Sequence, residues 1–436
     1  MDTMLKLTYI KSKGDIAMDL QKLIDKKDAA ARYMVAEISY ICNKLEKRAP
    51  GSKGEHQACE YAEKQMKKLG CDRVFVDEFK ENPGSFFGWI YFTITCCFLA
   101  LIFYFVLPVL SIVFIGLGLL LCFLQFGLYK KVVDKFFKEK TGHNVTGFKK
   151  PTGEVKRRII FNGHPDAAWE WPFKYKFTYL GFDIHMMLCF LGAFYTLGIA
   201  IAKLAGAFEA NPQLGTGLGL GALAFVPFWF GLYFMWNEKR VVDGANDNLT
   251  GCYIGMAILK YLKEENITFE NTEIGVVWTG SEEAGLRGAK AWCEAHAKEF
   301  DDVPTFVFSY DTIAQCEQLM VNYRDLNGTV KTDKDVGDLF YEACEELNIP
   351  CKKGIVPPLG GATDSAAFAK AGMRATGITG LNHNLQNYYH TRRDTYDNMN
   401  LEGLADCFAV SVKVLEKFDM GAKQTGTEKD KEMVTK

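Results

Sequence analysis

The sequence predicts an α/β protein: a mixed, mostly parallel central sheet flanked by helices, interrupted by four transmembrane helices that form two inserted hairpins. Three observations predict it. The runs Ile159-Ile160-Phe161, Ile274-Gly275-Val276-Val277 and Phe306-Val307-Phe308 are apolar without alternation, as strands covered on both faces are. These runs alternate along the chain with helical stretches, the pattern of a largely parallel sheet. Two long segments, 84–130 and 177–237, are poor in charge.

Taken in order, amphipathic helices are expected over 38–45 and 55–69, separated by Arg48-Ala49-Pro50-Gly51-Ser52, and a strand follows over 73–79. After the first insertion come a strand around Asn144 and another over 158–161. Beyond the second lie a helix over 251–263, a strand over 272–278, a helix over 284–297, a strand over 304–310, a helix over 333–347 and a strand over 376–379. Residues 421–436 are polar and low in aromatics, as disordered tails are. The expected organisation is one polar domain built from 1–83, 131–176 and 238–420, with hairpins at 84–130 and 177–237 and a tail at 421–436.

Between residues 82 and 129 there is no Asp, Glu, Lys, Arg or His. A single helix of that length would be more than twice as long as the roughly 30 Å hydrocarbon layer is thick, so a hairpin fits, with Pro108 as its break. In the second segment Lys203, Glu209 and Asn211-Pro212 divide spans near 180–202 and 218–236. Trp89, Tyr91, Tyr129, Tyr179, Trp229 and Trp236 lie toward the span ends, where an interfacial aromatic belt would sit. Lys80, Lys130, Lys131, Lys135, Lys138, Lys174, Lys176, Lys239 and Arg240 flank the spans on the polar-domain side, which places that domain in the cytoplasm. The mixed charges of the first residues, Met1 to Lys27, show no apolar leader, so no cleaved signal is expected.

With 436 residues, of which 48% are hydrophobic, a large core is possible. A net charge of −2 gives no reason to expect nucleic acid as a partner. The thirteen cysteines are odd in number and scattered, which suits reduced structural thiols better than a disulfide framework or a zinc ribbon.

Four short patterns follow expected strand ends and a fifth stands nearer the C-terminus: Gly163-His164-Pro165-Asp166, Gly244-Ala245-Asn246-Asp247-Asn248, Ser281-Glu282-Glu283-Ala284-Gly285, Ser309-Tyr310-Asp311 and Tyr389-His390-Thr391. Loops beyond the carboxyl ends of parallel strands converge on one crevice. Two imidazoles and several carboxylates together are what divalent-metal hydrolysis requires, with two ions sharing one carboxylate and activating a water. In the tandem Glu282-Glu283 one carboxylate can bind metal while its neighbour moves the proton. Each pattern alone is commonplace; His-x-Asp is usually a surface turn and Glu-Glu a solvated pair. Their joint occurrence in this order carries the information.

The ordered set resembles the zinc exopeptidases that include aminopeptidase Y and bacterial leucyl aminopeptidases, with glutaminyl cyclases and the transferrin receptor ectodomain as relatives. The resemblance covers Arg48 to Ser52 and the following helix, Gly142-His143-Asn144-Val145, all five patterns, Ala362-Thr363-Asp364-Ser365 to Gly372, and His390 to Thr395. It implies that Asp247 bridges two zinc ions, that His164 and Asp311 complete one site, and that Glu283 and His390 complete the other. It further implies that Glu282 is the general base and that Asp166 holds the His164 ring through its second nitrogen. Asp364 and Asp394 become supports of the pocket. Cobalt or manganese would also suit this ligand set. Two departures stand out: Pro165 stiffens the first pattern, and Asn246 replaces a second acid found in many relatives, lowering the negative charge.

The expected function is a membrane-anchored, zinc-dependent exopeptidase of the aminopeptidase type, acting on peptides, with the bilayer as its other partner. A glutaminyl cyclase-like or lipid-amide reaction is the catalytic alternative, for which Trp169 and Trp171 could serve an apolar substrate. An inactive receptor or scaffold is the non-catalytic one, opposed by the intact set of acids and histidines. A transporter is weaker, because the spans carry few charges at membrane depth.

Overall fold

A computed structural model describes residues 13–382 and 387–421. The described strands are β1 (Arg73–Glu81), β2 (Lys140–Lys149), β3 (Arg157–Gly163), β4 (Trp169–Glu170), β5 (Asn237–Val241), β6 (Thr272–Thr279), β7 (Thr305–Ile313), β8 (Met320–Asn322), β9 (Arg324–Asp325), β10 (Val330–Lys331), β11 (Lys352–Gly354) and β12 (Arg374–Gly380). Eight of them form one sheet in the order β1-β2-β6-β3-β7-β12-β8-β11. The central strands β6, β3, β7 and β12 are parallel, while β1, β2 and β8 run antiparallel to their inner neighbours. The sheet is therefore mixed and mostly parallel, as the apolar runs predict.

The helices are α1 (Lys13–Asp25), α2 (Lys27–Lys44), α3 (Lys53–Leu69), α4 (Ser85–Val106), α5 (Pro108–Cys122), α6 (Pro172–Leu204), α7 (Pro212–Gly221), α8 (Val226–Gly231), α9 (Thr250–Glu264), α10 (Arg287–His296), α11 (Lys334–Glu346), α12 (Ser365–Lys370) and α13 (Leu401–Asp419). Side chains alternate across each central strand, so Ile159 and Phe161 join a core with α2, α9 and α13, whereas Ile160 joins a core on the opposite face with α10 and α12. That second core is continuous with Phe86, Ile90, Ile94 and Trp229 of the apolar helices.

Among the described residues four helical segments are long and apolar enough to cross a membrane: Ser85–Val106, Pro108–Gly127, Pro172–Leu204 and Pro212–Phe234. Helix α5 shows how they pack. Its buried positions are Ser111, Ile115, Gly118 and Cys122, a stripe at helical spacing, whereas Val113, Leu117 and Leu120 are exposed. Small residues at the helix contact and large apolar ones outside suit lipid as the surrounding solvent.

Several expectations need correction. The helical run from Pro172 is broken at Thr178 (φ 59°, ψ −175°), so the third continuous span starts near residue 180 as expected, whereas the fourth begins earlier, at Pro212, because proline suits a first helical turn. Lys174, expected among the flanking cations, lies in the short turn before that break, but it is only 4% exposed. Of the aromatics expected at span ends, Trp89, Tyr129, Trp229 and Trp236 are buried, and Trp229 Nε1 donates to the Cys189 carbonyl at 3.0 Å. The expected helix over 284–297 starts at Arg287, since Gly285 and Leu286 both adopt positive φ, 95° and 59°. Helix α13, capped by Asn400 Oδ1 accepting from the Gly403 N–H, was not among the expected elements. The expected tail, apart from Gly421, and residues 1–12 lie outside the described residues.

Candidate metal centre

The strand register aligns the segments that carry the candidate ligands. Gly163, the last residue of β3, pairs with Trp278 of β6, and Asn162 pairs with Ser309 of β7. His164, Glu282, Glu283 and Asp311 therefore emerge at the same edge of the sheet. Two glycines let the third partner approach. A Cβ on Gly163 would lie 2.5 Å from the Cys252 nitrogen, and one on Gly251 would lie 2.5 Å from the Tyr310 carbonyl oxygen. The first turn of α9, with Asp247 just before it, is thereby pressed between the ends of β3 and β7.

Among the described residues two groups of possible ligand atoms result, each within 4.8 Å: His164, Asp247 and Asp311, and Asp247, Glu283 and His390. Asp247 belongs to both. His390 Nε2 stands 3.1 Å from Asp247 Oδ2 and 3.2 Å from Glu283 Oε1. His164 Nε2 stands 3.5 Å from Asp247 Oδ1 and 3.8 Å from Glu282 Oε2. A single ring N–H cannot point along two such contacts at once, whereas a cation between the donors serves all of them. The donor chemistry, two imidazoles and three carboxylates in a buried space, fits zinc.

Charge crowding leaves its mark. Burial, with Asp247 as the next cause, pushes Asp311 up to about 7. Burial likewise pushes Glu282 well above the usual carboxylate range, against the pull of His164 and with Glu283 adding to it. Burial works against protonating His390, yet Glu283 and Asp247 outweigh it and raise the ring to about 9. This is a site that demands compensating positive charge.

The surrounding hydrogen bonds fix the cluster. Asp166, fully buried, accepts the backbone N–H groups of Glu282 and Glu283, each at 3.0 Å, while its Oδ1 lies 3.3 Å from His164 Nδ1. One carboxylate thus positions both the imidazole and the tandem acids. Asp394 accepts from the Asn246 and Asp247 backbone N–H groups and from Asn246 Nδ2. Asn246, the departure from the family pattern, is therefore a partner of Asp394. Asp364 accepts from the Thr279 hydroxyl at the end of β6.

Three contributors escaped the sequence reading in their roles. Arg48, 1% exposed, donates from Nε to the Pro165 carbonyl and from one amino group to the carbonyls of Asp243 and Gly244, joining the His164 and Asp247 loops. Asn248 Oδ1 accepts from the backbone N–H groups of Gly251 and Thr312, tying the Asp247 loop to β7. Arg287 pairs with Asp134 at 2.8 Å and donates to the Ser85 hydroxyl, linking the loop of Glu282 and Glu283 to both ends of the first hairpin. The resemblance covered Arg48 without giving it a role, and Glu46 and Lys47 before it carry no sign of burial; all three depend on distant partners.

A cavity of about 520 Å³ opens from Glu282, Glu283 and His390 and runs between the apolar helices, past Phe86, Ile94, Cys97, Ile115 and Phe190. Trp171, on its wall, packs edge-on to His390 at 4.4 Å, and Tyr389 stacks on the same imidazole at 3.9 Å. Trp169 is instead buried packing, 6.5 Å from Phe87.

Residues 233–415 match the family described as Peptidase family M28. No curated protein sequence matches the chain. Among solved structures the fold is similar to an aminopeptidase from Aneurinibacillus sp. strain AM-1, with TM-score 0.53 and 14% identity over 91% of this chain and 95% of that one. It is similar to the zinc aminopeptidase BSAP of Bacillus subtilis, with TM-score 0.53 and 14% identity over 89% and 95% of the two chains. A glutaminyl cyclase from Bacteroides thetaiotaomicron also resembles it, with TM-score 0.51 and 11% identity over 90% and 97%.

Proposed function

We propose that the chain is a membrane-anchored, two-zinc aminopeptidase, a reading supported by the match of residues 233–415 to Peptidase family M28. The observation that carries the proposal is the pair of donor groups sharing Asp247. His164 and Asp311 would hold one ion and Glu283 and His390 the other, with Asp247 common to both. Bound zinc would supply Lewis acidity, polarising the scissile carbonyl and making a water more acidic.

The chain's own residues do the rest. Glu282 stands beside the cluster but outside both donor groups, so it takes the proton from the attacking water and passes it to the departing amine. Asp166 is a positioning residue, holding the His164 ring and the Glu282 backbone in one frame. Burial of the acids keeps bulk water from competing with that transfer. The four apolar segments anchor the protein in a bilayer, and the basic flanks Lys130, Lys131, Lys239 and Arg240 orient the polar domain toward the cytoplasm.

The test is Glu282→Gln in the full chain. Metal content should stay at the wild-type level while hydrolysis of aminoacyl reporters falls about 10³-fold. Retained turnover would remove Glu282 from the mechanism. Fold likeness to a glutaminyl cyclase supports a second reading, cyclisation of N-terminal glutamine, and a glutaminyl substrate in the same assay separates the two.

A further inference from the structure

Lys174 has no place in the reaction above, and its surroundings are unusual for a lysine. It is 4% exposed, lies two residues into α6, and lines the cavity that leads from Glu282, Glu283 and His390 into the apolar helices. Among the described residues no carboxylate or carbonyl pairs with its Nζ. What it touches is aromatic: Nζ lies 4.3 Å from the centre of the Tyr389 ring, and that ring stacks on His390. A ring face attracts a cation but does not use its N–H donors. The ammonium therefore stands at the junction of the ligand cluster and a cavity walled by apolar side chains, with donors to spare. Asp183, on the same wall, and Asp247 favour the cation electrostatically, but neither pairs with it, so its N–H donors are left unused unless an anion meets them in the cavity.

We propose that the site takes amphiphilic peptides: a long apolar chain on the leaving half of the substrate lies in the cavity between the helices, and a carboxylate close to the scissile amide is received by Lys174. The proposal rests on the hydrolase reading above and names the substrate class of that same site. Water adds across the C–N bond, and the product left in the cavity is an apolar amino acid with its carboxylate on Lys174. The carboxylate places the amide at the ligand cluster, and the chain gains from burial in proportion to its length. Lys174 is in this sense a specificity residue, outside the proton transfers.

Three alanyl substrates test it on the full chain in lipid nanodiscs with bound zinc: alanyl-2-aminododecanoic acid, alanyl-dodecylamide and alanylglycine. The first carries chain and carboxylate, the second the chain alone, the third the carboxylate alone. The first should exceed both others in kcat/KM by about tenfold or more. Lys174→Met should raise KM for the first substrate by about tenfold and leave the dodecylamide unchanged, whereas Lys174→Arg should restore the difference. A readout without turnover accompanies these: 2-aminododecanoic acid should alter the tryptophan fluorescence of the protein and bind Lys174→Met about tenfold more weakly. Equal turnover of alanylglycine, or equal losses on all three substrates in Lys174→Met with unchanged binding of the amino acid, overturns the inference and leaves the hydrolase reading intact. No turnover of any substrate by protein with confirmed metal overturns the hydrolase reading and the inference with it.

Discussion

Strand β6 and helix α5 are both apolar runs, and the fold treats them in opposite ways. Every residue of β6 is buried, with Val277 and Trp278 fully enclosed between helices on either face of the sheet. Helix α5 buries Ser111, Gly118 and Cys122 and turns Val113, Leu117 and Leu120 outward. In the first case apolar surface is removed from water by the protein itself; in the second, the outward surface needs another apolar medium. In the proposed membrane-anchored protein the same hydrophobicity serves two solvents, and the cavity above the ligand cluster is where the two regions meet.

The comparison can be broken or sharpened by substitution. The largest effect is expected in the α/β core: Phe308→Ala should lower the unfolding free energy by about 4 kcal/mol in chemical denaturation, because nothing can collapse into the space on a sheet face. At the junction, Arg287→Met leaves Asp134 with its hydrogen bonds from Ser85 and Gln125 but without the balancing cation, and a loss of about 3 kcal/mol is expected in the same measurement. Aminoacyl hydrolysis should fall with it, since Arg287 follows the Glu282-Glu283 loop. On the outer face of α5, Leu117→Arg should cost about 3 kcal/mol of membrane insertion, seen as a larger fraction extracted from membranes by alkali. An unchanged extracted fraction would mean that this face meets water or protein. The smallest effect belongs to Val113→Ala, whose exposed side chain should change stability by no more than about 0.5 kcal/mol in micelles.

The central strands were legible because strands buried on both faces leave continuous apolar runs, and the insertions because charge is missing over such long stretches. Helix boundaries were less so. The start of α10 depends on Gly285 and Leu286 taking positive φ, a choice made by the Glu282-Glu283 loop packing against Asp166 and Arg287 rather than by local propensity. The short strands β8 and β11 were missed, since three residues each carry too little periodicity to register. At the site, the acids and histidines announced themselves as an ordered set, but Asn248 looked like any loop amide. Its value lies in reaching β7, 64 residues on.

By itself the sequence determined which residue types stand at the strand ends, that two charge-poor segments interrupt a polar domain, and that a sheet with two covered faces forms. Those are properties of composition and period, and each is set by neighbours along the chain. Only the tertiary structure decided that Arg48 and Asn248 lock the loops around Asp247, and that Lys174 lines a cavity wall. Such outcomes depend on contacts between segments far apart in sequence, where close approach at Gly163 and Gly251 and the competition for buried donors select one arrangement. The apolar insertions acquired their second meaning the same way, when packing opened a space between them at the edge of the ligand cluster.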